Sequence, residues 1–435
     1  MAELRATVVV VNWNGAHLLT DCLTALREQT ATSFQTWVVD NASTDSSRQL
    51  LASEFPEVRV IANPDNRGFA GGNNTALRQV TTPFAVLLNN DATPEPDWLE
   101  QLLAPFDEPG NDRLAAVSSK VVFTPRFAQL GLATEEFRPG SGDSRNLGVR
   151  IASVCVDGTD VTAKVLWERL TYGQEAGFRW TRPAGDMLVP LPTQGTHDVT
   201  VTWAAERAKP VTLMGQPFRV GEAPSTATVT VEGGADVVNN VGSLVFTAGY
   251  GADRGYQEVD AGQYDEPAEV FALCGCAVAF RTDAGREVDW FDDDFFLYYE
   301  DTDLSWRLRA AGWTIRYEPK AGVRHLHSAT TVEWSPVFMF HTSRNRLLML
   351  VKNATAARAR HELASFLAES LRMVLTALRA VLRGQRPALR PLQIRVRVLA
   401  SLLRLLPVMT VRRRRIGRSA LVDRIELEQW LVTTR

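Results

Sequence analysis

Val38-Val39-Asp40-Asn41-Ala42-Ser43-Thr44-Asp45 decides the fold, because a β-branched run stops at a carboxylate and gives way to a polar loop. The same arrangement recurs on either side of it. Upstream, Thr7 to Val11 is a β-branched run, and Ala16 to Gln29 carries Leu18, Leu19, Cys22, Leu23 and Leu26 at helical spacing ahead of the strand Thr36 to Val39. Downstream, Val58 to Ala62 predicts a third strand, and Phe84 to Leu88 a fourth that halts at Asn89-Asn90-Asp91. Strands alternating with helical patterns predict βαβ units and a mostly parallel sheet. Polar residues at the carboxyl ends of such strands predict a ligand crevice there, since the loops leaving the strands diverge.

Five polar elements hold the chemistry. Asp40 can accept hydrogen bonds from the hydroxyls of a ribose or the N–H of a base, while Asn41 and Ser43 can fix the loop by bonds to its backbone. Asn66-Arg67-Gly68-Phe69-Ala70-Gly71-Gly72-Asn73 opens a helix and offers bare N–H groups and an arginine to a phosphate. It matches neither the kinase-type nor the dinucleotide glycine pattern. Asn89-Asn90-Asp91-Ala92 puts a carboxylate where it could share Mg²⁺ or Mn²⁺ with a diphosphate. Phe295-Phe296-Leu297-Tyr298-Tyr299-Glu300-Asp301-Thr302-Asp303-Leu304-Ser305-Trp306-Arg307 carries an acidic cluster to the start of a helix, where apolar surroundings can prepare a general base. Arg324-His325-Leu326-His327-Ser328 sets two histidines on one face of an extended segment, so that one could complete a metal site. Each element alone also has a structural reading, as a helix cap, a turn or a dipole partner.

The chain has 435 residues, 45% hydrophobic and 22% charged, which predicts a globular protein of more than one domain. Four scattered cysteines fit a reduced protein with buried thiols, and the Val-rich start lacks the pattern of a signal peptide. From Ser144 to Val238 the composition turns to alternating Thr, Val, Gly and Pro, as in Asp198 to Trp203 and Thr226 to Val231, predicting an inserted antiparallel β module. The expected partition is therefore 1–143 with 239–354 as one α/β domain, 144–238 as the module, and 355–435 as a basic helical region. The net charge of −3 divides into +14 over Lys352 to Arg418, −1 beyond it and −16 over the first 350 residues. The basic segment is thus the part expected to meet an anionic surface. Its two helical stretches, His361 to Leu382 and Leu392 to Leu405, are broken by arginines too often to span a membrane.

The conjunction of these elements in one chain resembles the inverting glycosyltransferases of family 2, and within them the rhamnosyltransferase-like and galactofuranosyltransferase-like members. Val9-Val10-Val11-Asn12-Trp13-Asn14, Phe296-Leu297-Tyr298-Tyr299-Glu300-Asp301-Thr302-Asp303 and His325-Leu326-His327-Ser328-Ala329-Thr330 join the Asp40, Gly68 and Asp91 elements in carrying it. It covers about residues 5 to 135 and 238 to 354. The resemblance implies a GT-A fold, Rossmann-like and typical of nucleotide-diphospho-sugar transferases, with the antiparallel β module inserted and a helical C-terminal tail. By the same resemblance the nucleotide sugar meets Asn12, Asp40, Asn41, Asp45, Arg67, Gly68, Gly71, Gly72, Asn73, Asn90 and Asp91. Asp301 is the implied catalytic base, Glu300, Asp303 and Trp306 stand on the acceptor side, and Asp91 with His325 holds a divalent cation, Mg²⁺ or Mn²⁺. With Asn at 89 and Thr at 93, Asp91 is the lone carboxylate of its motif. The implied partners are a nucleotide-sugar donor, dTDP-rhamnose first and UDP-galactofuranose second, and a glycan or glycolipid acceptor. A peripheral position on the inner face of the plasma membrane and a homo-oligomer are further expectations, and nucleic acid is not one. Two rivals are a catalytically inactive carbohydrate-binding scaffold using the β module and a nucleotidyltransferase. Asp91 and Asp301 speak against the first, and Asn12-Trp13-Asn14-Gly15, which offers no basic triphosphate loop, against the second.

Overall fold

The computed structural model describes residues 3–140, 142–167, 170–175, 177–326, 335–387 and 389–433. His327, one of the two histidines singled out above, lies outside them. In chain order the α/β part begins with β1 (Ala6–Asn12), α1 (Ala16–Arg27), β2 (Phe34–Asp40), α2 (Ser47–Glu54) and β3 (Arg59–Ala62). It continues with α3 (Gly68–Leu77), β4 (Phe84–Leu88), β5 (Ala92–Pro94), α4 (Trp98–Leu103) and β6 (Leu114–Phe123). Strands β7 (Phe127–Thr134), β8 (Arg150–Val156), β9 (Thr159–Asp160), β10 (Thr171–Glu175) and β11 (Phe178–Thr181) follow. Then come β12 (Ala184–Pro190), β13 (Thr196–Ala204), β14 (Lys209–Leu213), β15 (Gln216–Val220), β16 (Ser225–Glu232) and β17 (Val238–Asn240). The remainder is β18 (Ser243–Val245), β19 (Gly251–Asp253), β20 (Ala268–Glu269), β21 (Ala277–Arg281), α5 (Thr282–Glu287), α6 (Glu300–Ala310) and β22 (Thr314–His325). Four helices close the chain: α7 (Pro336–Asn353), α8 (Ala356–Leu382), α9 (Leu389–Ser419) and α10 (Arg424–Leu427).

These elements form two compact units, one of residues 1–122, 239–256 and 262–435, the other of residues 123–238 and 257–261. In the first, the sheet runs β20-β22-β6-β21-β4-β1-β2-β3. The four strands read from the sequence are parallel neighbours, β4 to β1 to β2 to β3, because helices α1 to α3 supply the crossovers. Their valines are buried on both faces, as a sheet covered by helices requires: Val8, Val9 and Val10 are each 0% exposed. Leu18, Leu19, Cys22, Leu23 and Leu26 give α1 its buried stripe. Antiparallel β21 then pairs with both β4 and β6. The register sets Asn12 beside Asp40 and Asp40 beside Ala62, so the polar strand ends lie level along one edge of the sheet.

The tail helices belong to this first unit. Ile394, Val398, Leu402, Leu405 and Met409 of α9 join Leu347 to Val351 of α7 in one apolar core. Ser335 accepts the N–H of Phe338 at 3.2 Å and precedes Pro336, a start signal for α7. Among the described residues no helix is long and apolar enough to cross a membrane.

The second unit is antiparallel throughout its ladders, with β10-β11-β8-β13-β16 in one sheet and β12-β7-β14-β15 in another. Its core of Leu130, Val154, Val201, Trp203 and Val229 comes from alternate strand positions. Strand β7 pairs with both β12 and β14, so this unit takes in residues ahead of the compositional change at Ser144.

Candidate functional site

At the end of β1, Asn12 is fully buried and its amide faces both neighbouring loops. It donates to Ser43 Oγ at 3.2 Å and accepts from Asn90 Nδ2 at 2.8 Å. Gly15 is small of necessity, since a Cβ there would stand 2.4 Å from Asn90 Nδ2. Trp13 is the exception among the aromatics here, 46% exposed, and no periodic pattern marks it. Asp40 is buried, its Oδ2 2.5 Å from Arg48 Nε and its Oδ1 accepting the N–H of Ser43 at 3.3 Å. Asp45, expected at the ribose, instead spends its oxygens on protein. It accepts from Ala16 N and Ser47 N, each at 3.0 Å, and from Ser47 Oγ at 2.5 Å, tying the starts of α1 and α2 together. Burial opposes the ionised form of Asp45, but the Ser47 and Ala16 bonds win and its carboxyl sits below the usual range.

The glycine segment is held by the same loop. Asn41 donates to Gly68 O at 2.9 Å and accepts from Asn63 Nδ2 at 2.8 Å, so its side chain positions α3 from below. Gly72 packs on that amide, where a Cβ would come within 2.8 Å, and Gly71 packs on the Arg67 stem. Asn73 turns inward to Phe69 O at 3.0 Å. Arg67 stays exposed and pairs with Asp65 at 3.3 Å. Gly68 has φ +67, and a Cβ on it would meet Phe296 O at 2.2 Å.

Phe296 belongs to the aromatic run before α6, and that run is strained. Phe296, Tyr298 and Tyr299 all have positive φ, 60°, 67° and 68°. Such conformations cost about 1–3 kcal/mol each and persist only where surroundings impose them. The surroundings are Asn345, wholly buried in α7, whose Nδ2 lies 2.8, 2.8 and 2.7 Å from Phe295 O, Leu297 O and Tyr298 O and shares its two N–H groups among them. Arg344 adds bonds to Asp294 O and Phe295 O. Sequence reasoning missed Asn345; the polar triplet Arg344-Asn345-Arg346 directly ahead of the apolar run Leu347 to Val351 was its signal.

The strained run delivers Asp301 to the strand ends. Asp301 accepts from Thr302 N at 2.6 Å and from Gly275 N at 3.4 Å. The next residue, Cys276, accepts from Asn89 N at 2.8 Å. The short Cys274-Gly275-Cys276 bridge thus joins the Asp301 carboxylate to the Asn89-Asn90-Asp91 turn. Burial raises the Asp301 carboxyl above its usual range, and Asp253 adds to the rise against the Thr302 and Gly275 bonds. Glu300 is pushed further, by burial and then by the Asp301 charge.

Glu300, Asp303 and Trp306, expected on the acceptor side, face the protein interior. Glu300 is 6% exposed, and the other two 0%. Two residues on from Asp301 lies a little over half a helical turn round, on the opposite face, so Asp303 points away from the crevice. There it receives Lys352 Nζ at 2.7 Å, Arg307 Nε at 2.9 Å and Asn353 Nδ2 at 2.7 Å. Lys352 also meets Asp292, which Arg412 of α9 reaches at 2.7 Å. Trp306 packs edge-on against Phe271 in the core.

Asp91 and His325 do come together, through the antiparallel pairing of β5 with β22. His325 Nε2 lies 3.1 Å from Asp91 Oδ1, and Nδ1 lies 2.9 Å from Asn239 Oδ1. An amide oxygen at Nδ1 fixes the proton there and turns the Nε2 lone pair toward the carboxylate. Two electron-rich atoms at that separation need a proton or a cation between them. One imidazole nitrogen and one carboxylate oxygen suit a divalent cation that completes its shell with diphosphate and water oxygens. Among the described residues no cluster of three His, Cys, Asp or Glu forms a protein-only cage.

The sheet is mixed rather than mostly parallel, its β4-β1-β2-β3 run parallel and its β21 and β22 pairings antiparallel, and with acids and amides at the carboxyl edge of the parallel run it is the GT-A arrangement. Residues 7–153 match the family described as glycosyl transferase family 2, and residues 227–413 match glycosyl transferase family group 2. The chain carries family 2 glycosyltransferase domains. It is similar to the N-acetylglucosaminyl-diphospho-decaprenol L-rhamnosyltransferase of Mycobacterium tuberculosis, 41% identical over 68 residues, 15% of this chain and 22% of that one. It is also similar to glycosyltransferase AglE of Haloferax volcanii, 24% identical over 136 residues, 30% and 43% of the two chains. Among solved structures, a mannosyltransferase from Pyrobaculum calidifontis in complex with GDP-Man and Mn²⁺ is similar at TM-score 0.41 and 14% identity, over 93% of this chain and 88% of that one. The chain matches less than half the length of each of these curated relatives.

Proposed function

We propose that the chain is an inverting glycosyltransferase that moves a sugar from a nucleoside diphosphate to a hydroxyl of a cell-envelope glycan or its lipid-linked precursor. The observation that carries this is the Cys274-Gly275-Cys276 bridge, which links a half-buried, proton-avid Asp301 to the Asp91 turn. Asp301 takes the proton of the acceptor hydroxyl as its oxygen bonds to the anomeric carbon, and the bond from that carbon to the diphosphate oxygen breaks. A base on the far side of the sugar from the leaving group inverts the anomeric configuration. Asn12, Asp40 and Asn90 hold the nucleoside end, and Arg67 with the opened turn of α3 faces its phosphates. Asp91 and His325 would hold Mg²⁺ or Mn²⁺, which offsets the charge gathering on the diphosphate. Asn239 fixes the His325 ring for that task.

The donor we favour is dTDP-rhamnose, with UDP-galactofuranose second, a choice supported by the family resemblance and by the similarity to a rhamnosyltransferase over 68 residues. The Arg-rich C-terminal region would bring the chain to the inner face of the membrane, where lipid-linked acceptors lie. The test is a panel of nucleotide sugars offered to purified protein with and without Mn²⁺, read by thermal shift and by nucleoside diphosphate release. Metal-dependent stabilisation and release with one donor supports the reading; neither response from any donor overturns it.

A further inference from the structure

The tail does not offer one uniform basic surface. The second half of α9 is built into the protein: Leu402, Leu405 and Met409 are buried, Arg412 reaches Asp292 and Asp294, and Arg413 donates to Val351 O and Ala354 O. The α8–α9 hairpin is different toward its tip. The buried residues of α8 are Ala359, Glu362, Phe366 and Ser370, and none follows Ser370, so its last twelve residues, Leu371 to Leu382, have no core beneath them. Yet that half is apolar on its outside. Leu367, Leu371, Leu375, Leu378, Val381 and Leu382 are 44 to 86% exposed. At 3.6 residues per turn they fall within about one third of the helix circumference. Across the turn, Leu389, Val396 and Leu403 of α9 are exposed as well, 51, 58 and 74%.

The charges around this apolar face have one sign. Between Ser370 and Val422 the chain has thirteen arginines and no acidic residue. Arg372, Arg379, Arg383, Arg386 and Arg390 around the hairpin tip are exposed. A helix of this length with no packed face is marginal in water, and a contiguous exposed apolar stripe marks a surface awaiting cover. Arginine alone beside exposed leucine is the charge complement of an anionic lipid surface, whose headgroups take the guanidinium groups while the acyl boundary takes the leucines.

We infer that the α8–α9 hairpin tip, Leu367 to Leu382 with Leu389 and Arg390 across the turn, is a monotopic membrane anchor that lies in the interface of an anionic leaflet with the Leu367-Leu371-Leu378-Leu382 face inserted. The inference rests on the reading that the acceptor is lipid-linked. It deepens that reading by assigning attachment to the hairpin tip and by leaving the inner half of α9 to the fold.

Full-length protein is sedimented with phosphatidylcholine vesicles with and without phosphatidylglycerol. The Leu371→Glu/Leu378→Glu and Arg379→Gln/Arg383→Gln double variants are compared with it, after circular dichroism confirms their helix content. Binding only to anionic vesicles is expected, with partitioning reduced about fivefold or more for each arginine removed and at least as far by the leucine pair. Absence of binding overturns the anchor. Loss in the arginine variant with full binding in the leucine variant overturns insertion. A concentration-dependent dimer without lipid, abolished by the leucine pair, assigns the face to a second copy of the chain and overturns it too. Donor-dependent nucleotide release is measured in parallel, because its failure would remove the transferase reading while leaving the vesicle result standing.

Discussion

Asp301 stands under two opposed demands. Burial, with the Asp253 charge nearby, holds its proton to higher pH than an exposed aspartate would, which suits a base but penalises the folded state once the group ionises. The sign follows from linkage. Because the folded carboxyl binds its proton more tightly than the unfolded one, stability falls as pH rises from the ordinary carboxylate range through the folded pKa. Asp301→Asn keeps the Thr302 bond and removes the charge. Transfer should therefore drop by about 10²- to 10⁴-fold while nucleoside diphosphate affinity holds. The same variant should melt higher than the parent at about pH 8, with the gap closing below the usual carboxylate range. Calorimetric titration, product formation and melting at two pH values check all three, and near-normal transfer would mean that the base lies elsewhere. Asp303 is then a poor substitute, since Lys352, Arg307 and Asn353 already occupy its oxygens. The residue pattern alone placed three acids at one helix start and only the family resemblance singled out Asp301; what occupies Asp303, Lys352, lies far along the chain. Asp91→Asn should weaken both donor binding and turnover and reduce the Mn²⁺ response, measured by the same titration with metal present and absent.

At the scale of elements, the strands and their polar ends were legible and the loop before α6 was not. Hydrophobic periodicity is a local signal, and β1 and β4 obey it because both of their faces are buried, whereas the edge strand β3 is largely exposed. Phe-Leu-Tyr-Tyr gives no local sign of left-handed backbone, which bulky residues disfavour. The conformation is imposed by Asn345, some fifty residues later in α7. Asn345→Leu keeps the branched shape while removing this donor from the half-buried Leu297 O and Tyr298 O, Phe295 O retaining Arg344, and a hydrogen bond lost at such a group costs about 1–3 kcal/mol. The loop should relax away from Gly68–Phe69, whose backbone it contacts through Phe296 O. We expect kcat to fall more than donor affinity and the acid limb of the pH–rate profile to move down as Asp301 becomes more exposed. An unmoved limb in a folded variant would reduce Asn345 to a packing residue. Gly68→Ala tests the other side of the contact. Its φ of +67 and the 2.2 Å approach to Phe296 O leave no room for a methyl, so donor binding itself should weaken by about tenfold or more.

At the scale of the molecule, composition separated the parts but did not find their edges. The tail reads as a detachable basic extension, yet five apolar side chains of α9 lie in the core with α7. Their burial contributes about 10 kcal/mol together, a sum comparable with the whole stability of a typical domain, about 5–15 kcal/mol. Truncation after Ala354 is therefore expected to unfold the first unit rather than merely free it from a surface. The β unit has the same kind of hidden edge. Thr, Val and Gly become dense only after Ser144, but β7 comes earlier and supplies Leu130 and Leu132 to that core, 0 and 3% exposed. Phe127 to Thr134 looks like any strand of either unit; only its pairing with β12 and β14 assigns it. A deletion of residues 144–238 would strip β7 of both neighbours and leave an exposed apolar edge, a recognised aggregation hazard. A deletion of residues 124–237, with Phe123 joined to Val238 by a short glycine linker, removes β7 with its partners. Every residue proposed to hold the donor lies within residues 12–91 or at His325, in the first unit. The longer deletion should thus stay soluble, melt cooperatively and bind nucleoside diphosphate with Mn²⁺ within about threefold of the parent, a difference under 1 kcal/mol. The shorter deletion should aggregate or melt well below it. A soluble shorter variant would show that β7 does not need the module, and loss of nucleotide binding by a cooperatively melting longer variant would make the β unit part of the donor site.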